Sequence, residues 1–154
     1  YARRINAEYV IHFDADGQHD YREIPLMLQP LIDGTADMTM GTRFSRPEDI
    51  AAIPTVRRLV LRGAILVNAL LTGVYLTDAH NGFRGFNRTA IERIRLTENR
   101  MAYATELLMI VRRERIRLKE VPVHVVYTQY STSKGQRNMN ALHILIDLLL
   151  NRLF

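Results

Sequence analysis

An Asp-X-Asp-Gly quartet directly after a run of β-formers is the feature that most constrains this chain. Residues 8–13 read Glu-Tyr-Val-Ile-His-Phe, and Asp14-Ala15-Asp16-Gly17 follows without a break. The β-branched and aromatic residues predict a buried strand, and the quartet an acidic loop at its carboxyl end. Along an extended backbone residues two apart point the same way, so Asp14 and Asp16 can present two carboxylates on one side. A hard divalent ion such as Mg²⁺ or Mn²⁺ takes oxygen ligands of this kind and is commonly shared with substrate phosphates. Gly17 lets the backbone turn sharply, and Gln18 brings a carbonyl oxygen back toward the same place. The same residues also read as a structural turn or a helix cap. The strand before them favours a ligand site, because α/β folds bind ligands beyond the carboxyl ends of their strands.

The rest of the chain alternates helix and strand signals. Asp20 and Glu23 stand at capping-box spacing ahead of a helix over residues 21–33, which Pro30 should kink and Gly34 stop. Residues 36–40 predict a second strand leading to Gly41-Thr42-Arg43-Phe44, and residues 45–54 a loop. A long helix over 55–72 has a basic start, an apolar body and Gly73 as its stop. Residues 76–88 read as turns around Gly82 and Gly85, and residues 104–115 as a helix. Residues 120–127 alternate as a strand, with Val121, Val123 and Val125 on one face and His124 and Val126 on the other. Residues 130–140 are polar. Residues 141–154 form an amphipathic helix with His143, Asp147 and Asn151 as its polar stripe. That helix is too short to span a bilayer. It suits lying on one, or packing on the domain or on a second subunit.

Composition limits the partners. A chain of 154 residues makes one domain with a sizeable core. Without cysteine there is neither a disulfide framework nor a thiolate metal site, which fits a reducing compartment. The net charge of +5 suits anionic partners such as nucleotide diphosphates, lipid phosphates or an anionic membrane face. The basic residues come as scattered pairs, Arg3-Arg4, Arg57-Arg58 and Arg112-Arg113, without interleaved aromatics, which argues against nucleic acid. No run approaches the roughly 20 apolar residues of a membrane span. The opening Tyr1 begins neither a signal peptide nor a start codon's Met, so a truncated fragment is expected, from a cytoplasmic protein that docks peripherally on the inner face of the membrane.

Asp14-Ala15-Asp16-Gly17-Gln18-His19, Gly41-Thr42-Arg43, Asp78-Ala79-His80-Asn81-Gly82-Phe83-Arg84, Glu120-Val121-Pro122-Val123 and Ser133-Lys134 occur in this order. Together they resemble glycosyltransferase family 2, especially its dolichyl-phosphate mannosyltransferase-like and bacterial polysaccharide branches, over nearly the whole chain. The resemblance implies an α/β fold of the GT-A sandwich type. Residues 1–154 would be a single partial catalytic domain, lacking the N-terminal βαβ half that carries the base and ribose contacts. It implies an inverting transfer of a sugar from a nucleotide-sugar donor to a lipid-linked (polyprenyl phosphate) or saccharide acceptor, with the fragment inactive alone and prone to self-association through uncovered sheet edges.

By the same resemblance Asp14 and Asp16, with Gln18 assisting, hold Mg²⁺ or Mn²⁺ on the donor diphosphate. Asp78 and Glu106 are the catalytic candidates; Asp78 would be a general base for a sugar hydroxyl, a role a lipid phosphate does not need. Arg43, Arg57, Arg84 and Lys134 make up the substrate-binding set, with Arg84 acting more by supporting its loop than by touching substrate. Arg43 also reads as half of a salt bridge, Asp78 as a turn former, and Lys134 as part of a solvated loop. His12 and His19 flank the acidic loop and read as core or surface residues before ligands. Four positions depart from the family pattern: Thr42 and Asn81 replace serines, and Leu61 stands where the lipid-phosphate branch often has Ser. Thr128 stands where that branch often has an Arg six residues before the lysine, so residues 127–137 look more like the polysaccharide type.

Two other metal readings are weaker. An EF-hand loop counted from Asp14 needs Gly and Glu where His19 and Pro25 stand. A haloacid-dehalogenase-like phosphatase usually continues Asp-X-Asp-Gly with Thr, where this chain has Gln18. A different class also remains open, a non-catalytic module that docks on anionic membrane through its basic helices.

Overall fold

In the computed structural model, residues 1–44, 55–78, 81–97 and 102–126 are described. The order is β1 (Tyr9–His12), a 3₁₀ turn (Tyr21–Glu23), α1 (Ile24–Ile32), β2 (Met38–Thr42), α2 (Thr55–Thr72), β3 (Arg84–Asn87), α3 (Arg88–Arg93), α4 (Ala102–Arg113) and β4 (Leu118–Pro122). The four strands form one mixed sheet in the order β1-β3-β2-β4. Strand β3 runs antiparallel to both β1 and β2, and β4 runs parallel to β2. The strands β1, β2 and β4 therefore share a direction, and their carboxyl ends lie at one edge together with the start of β3.

The sheet is covered on both faces. Val121, Val123 and Val125 pack with Met27, Phe83 and, from β1 and α1, Ile11 and Ile24. On the opposite face Met38 packs with Ala90, Leu107, Ile110, Val111 and Ile116, while Met40 meets Leu76 and Leu108. All five residues of β2 are buried, as expected for a strand with helices on both sides. The glycine in β3 belongs to this packing. A Cβ on Gly85 would run into Thr39, Leu31 and Ile11, so only glycine lets α1 sit this close to the sheet.

Most expected elements form, with four physical corrections. The first strand is half-buried at best, not buried, because it stands at the sheet edge. Residues 84–87, read as turns, are an inner strand whose only apolar side chain on the pattern is Phe86. Asp20 caps its turn by accepting from Arg22 N, but Glu23 does not close a capping box; its carboxylate accepts the His124 N–H at 2.9 Å. The body of α2 is turned partly inside out. Asn68 and Thr72 are buried, with the Thr72 hydroxyl donating to the Asn68 carbonyl, while Leu59, Leu66 and Leu70 are exposed. Gly73 ends α2 as expected, at φ +68°, with the Arg112 guanidinium donating to its carbonyl. Asn87 caps α3 by accepting from Ala90 N. The segments 130–140 and 141–154 lie outside the described residues.

Asp37, which no motif marks, locks the strand ends together. Its carboxylate accepts from the Arg117 backbone N–H, from Arg117 Nε at 2.8 Å and Nη2 at 2.7 Å, and from Asn87 Nδ2 at 3.0 Å. The Arg117 hydrogen bond holds this carboxyl well below its ordinary value of 3.8, against the opposing effect of burial. Because the folded-state pKa is lowered, the stabilisation is complete above pH 4 or so and is lost as pH falls through the acid range below it. Asp37→Asn is expected to remove part of this acid dependence. Unfolding followed by urea titration should show wild type losing stability from about pH 4 downward, with a flatter profile for the variant. Parallel profiles would mean that Asp37 does not carry the effect.

Candidate functional site

The parallel strands deliver four segments to one edge of the sheet, and their hydrogen bonds tie them into one site. The first is the acidic loop. Gly17 takes φ +80°, a backbone region that suits glycine, and the Asp16 Oδ1 accepts the Gln18 N–H at 3.0 Å. Asp14 and Asp16 are both exposed, and neither forms an ion pair with any described residue. The Asp14 carboxylate lies directly against Gly82, where any Cβ would collide with it. Next to this contact, His12 Nδ1 is 3.1 Å from the Gly82 carbonyl. The motifs around Asp14 and Gly82 are thus two sides of one contact, although 68 positions separate them.

The second and third segments meet at Asp78, which is 2% exposed. Its Oδ2 accepts from Arg43 Nε at 2.6 Å, from the Arg43 backbone N–H at 3.2 Å and from Asn81 Nδ2 at 3.1 Å. Asn81 in turn accepts the Phe83 N–H at 2.9 Å. A short polar side chain accepting from the amide two residues on is an Asx turn, and serine makes the weaker equivalent. That explains how asparagine serves where the family motif has serine. Arg84 is buried, donates from Nε to the Asn81 carbonyl at 3.1 Å, and stacks 5.1 Å from the Tyr103 ring centre. Burial lowers its pKa, opposed by Tyr103, Asp14 and Asp78.

The fourth segment follows β4. The Gln18 carbonyl accepts the Val126 N–H at 2.9 Å, and His19 pairs with Val125. The His19 ring lies 5.3 Å from that of Phe83, and its Nδ1 is buried with no partner among the described residues. Burial holds its pKa below the ordinary 6.5, partly countered by Asp14. His19 is therefore a packing residue of the site floor, as a lone histidine beside an apolar strand was expected to be.

The structure thus brings Asp14, Asp16, Gln18, Arg43, Asp78 and Arg84 together, while Glu106 stands on α4 one turn from Tyr103, whose ring meets Arg84. The Glu106 carboxylate accepts from the Thr97 N–H at 2.9 Å and from its hydroxyl at 2.6 Å. The Asp78 carboxylate, read as a general base, is buried with three donors on one oxygen and anchors Arg43. Arg84 supports the Asn81 turn. The Arg57 side chain and Lys134 lie outside the described residues. Sequence reasoning gave no part to Thr77 or Asp37, and marked Glu120 only as the first residue of its motif.

The donor set fits a hard cation only in part-protein coordination. Among the described residues no three His, Cys, Asp or Glu side chains gather into a cage. Two exposed carboxylates at a strand end, without an ion pair to any described residue, nevertheless match the one or two that Mg²⁺ takes when phosphate oxygens and water complete its shell. An apolar recess of about 190 Å³ between β1, β3, α3 and α4 is lined by Val10, Phe86, Ile91, Ile94 and Leu107, and holds none of this chemistry.

A mixed sheet covered on both faces, with two exposed carboxylates and a part-buried arginine beyond its parallel strand ends, defines an α/β protein whose candidate site lies where such folds bind their ligands. The family model described as Glycosyl transferase family 2 matches residues 2–95. A UDP-N-acetylglucosamine–dolichyl-phosphate N-acetylglucosaminyltransferase of Methanococcus voltae is 30% identical over 151 residues, covering 97% of this chain and 60% of that protein. The low-salt glycan biosynthesis hexosyltransferase Agl6 of Haloferax volcanii is 29% identical over 90% of this chain and 32% of its own length. An undecaprenyl-phosphate mannosyltransferase of Micrococcus luteus is 27% identical over 82% of this chain and 53% of its own length. The chain belongs to glycosyltransferase family 2. It spans no more than 60% of the length of these relatives.

Proposed function

We propose that this chain supplies the donor-diphosphate side of an inverting glycosyltransferase that moves a sugar from a nucleotide-sugar to a polyprenyl phosphate. The carrying observation is the exposed Asp14 and Asp16 pair, placed beside the Asp78-anchored Arg43 at the carboxyl edge of the sheet. The GT-A reading goes with it, its remaining βαβ half lying in the part of the relatives' length that this chain does not span.

Asp14 and Asp16 are the proposed ligands of Mg²⁺ or Mn²⁺, with Gln18 assisting from the turn that Asp16 closes. When bound, such an ion supplies positive charge that offsets the charge developing on the leaving diphosphate. Arg43, held through Nε and its own backbone by Asp78, presents a planar cation to the same phosphates. An acceptor oxygen then attacks the anomeric carbon. The bond from that carbon to the diphosphate oxygen breaks, and the electron pair leaves with the nucleoside diphosphate. A phosphate acceptor is already anionic and needs no base, which agrees with Asp78 being buried and engaged. Relatives named for dolichyl-phosphate and undecaprenyl-phosphate support this choice over a saccharide hydroxyl. Such acceptors reside in membranes. Among the described residues no helix is long and apolar enough to cross one.

A donor screen tests the proposal. The full-length protein is incubated with UDP- and GDP-sugars and a polyprenyl phosphate, and nucleoside diphosphate release is read with Mn²⁺, with Mg²⁺ and with chelator. Release from at least one donor, falling to background under chelation, is the expected result. Equal release with chelator would remove the metal from the reading, and no release from any donor would remove the transferase.

A further inference from the structure

Glu120 belongs to a motif that the proposed function leaves without a role. It sits in β4 opposite Met40 of β2, on the face of the strand that also carries Leu118. A carboxylate on an inward strand face is costly unless it is hydrogen-bonded. Here it is: Oε1 accepts from the Thr77 N–H at 2.8 Å, from the Thr77 hydroxyl at 2.9 Å and from the Asp78 N–H at 3.1 Å, and Oε2 accepts the Thr77 N–H at 3.0 Å. The Thr77 hydroxyl also lies 2.7 Å from that of Thr42, the residue before Arg43.

We infer that Glu120 is a positioning residue: it fixes the Thr77–Asp78 backbone, and through the Asp78 carboxylate it sets the direction of the Arg43 guanidinium. The relay runs from β4 through the 77–78 turn to the end of β2. Each step is a direct hydrogen bond, and each receiving group is buried or half-buried. Charge-assisted bonds to two adjacent backbone amides hold a turn more firmly than the neutral bonds a glutamine could make. Glutamine would also turn an amide N–H₂ toward donors that need an acceptor. Glu120 itself touches no ligand; it acts on the anion site through Arg43. The inference rests on the reading of Arg43 as a diphosphate contact.

The test is a double-mutant cycle in the full-length protein, with Mn²⁺ plus UDP or GDP as the probe and the dissociation constant as the readout. Measurements are made well below the melting temperature of every variant. Glu120→Gln is expected to weaken diphosphate binding about tenfold, and to cost nothing further in an Arg43→Ala background, because the two act through one group. Thr77→Val keeps the backbone donors and loses only the hydroxyl, so it should give the same non-additivity with a smaller loss of about threefold, and it serves if Glu120→Gln does not fold. Unchanged binding in Glu120→Gln, or losses that multiply with Arg43→Ala, would reduce Glu120 to a structural residue and overturn the inference. Failure of the underlying reading looks different. Wild type would then bind no diphosphate in a metal-dependent way, and Asp16→Ala would be indistinguishable from it.

Discussion

Asp16→Ala is expected to cut metal-dependent sugar transfer by a hundredfold or more, on the order of the several kcal/mol of charge stabilisation that a bound ion contributes at a leaving diphosphate. It should do so with the fold intact. The carboxylate is exposed, makes no ion pair with a described residue, and contributes one hydrogen bond, to the Gln18 N–H. A substitution of that kind moves the melting temperature by about 2 °C or less. The pair of measurements is what matters: turnover at saturating Mn²⁺, and a thermal melt of the same preparation. Excess metal should recover little activity if, as proposed, Asp16 is one of two carboxylate ligands. A variant that turns over normally would show that the acidic loop is a structural turn, the other reading its sequence allows. A variant that loses activity by unfolding would show that Asp16 supports the loop more than any ligand.

Asp78→Ala should behave in the opposite way, losing stability first. Its carboxylate is 3% exposed, against 15% for the Arg43 side chain it binds, and it also holds the Arg43 N–H and Asn81 Nδ2. Removing one partner of a buried pair leaves the other charge uncompensated, at a cost of about 3 kcal/mol. For a domain of this size that corresponds to a fall in melting temperature of roughly 6–12 °C. Asp78→Asn keeps an acceptor oxygen for Arg43 and should lose much less. Thermal melts and steady-state kinetics together separate the anchor from the general base. An anchor gives the stability loss just described, with weakened donor binding in the protein that remains folded. A base gives a melt like that of wild type and a fall in kcat with KM unchanged, and that result would restore the role the sequence first suggested for it.

Much of this was readable before any coordinates. The period-two alternation of Val121, Val123 and Val125 identified a strand and its buried face, because side chains on extended backbone alternate whatever the fold. The same local logic placed the helix Thr55–Thr72 and its glycine stop. The acidic loop was legible because its residue types, order and preceding strand are all local in sequence. Strand Arg84–Asn87 was not legible, since it carries a glycine and an arginine where β-formers are expected. Its place is set by neighbours on both sides, and by the need for α1 to approach Gly85. The contact between Glu106 and Thr97 was not legible either, because it depends on how the chain ahead of the helix is placed against it.

What the sequence determined by itself was the chemistry available: two carboxylates after a first strand, arginines in known motifs, and a family pattern in order along the chain. Local backbone preference and residue type are enough for that, because neither depends on distant contacts. Only the tertiary structure decided which groups remain exposed and which are used up. Asp16 and Asp78 are the same residue type in comparable motifs. Burial and three donors make one an anchor, while solvent leaves the other open to a ligand. That difference arises from residues 35 or more positions apart meeting at one sheet edge, which no local reading can supply.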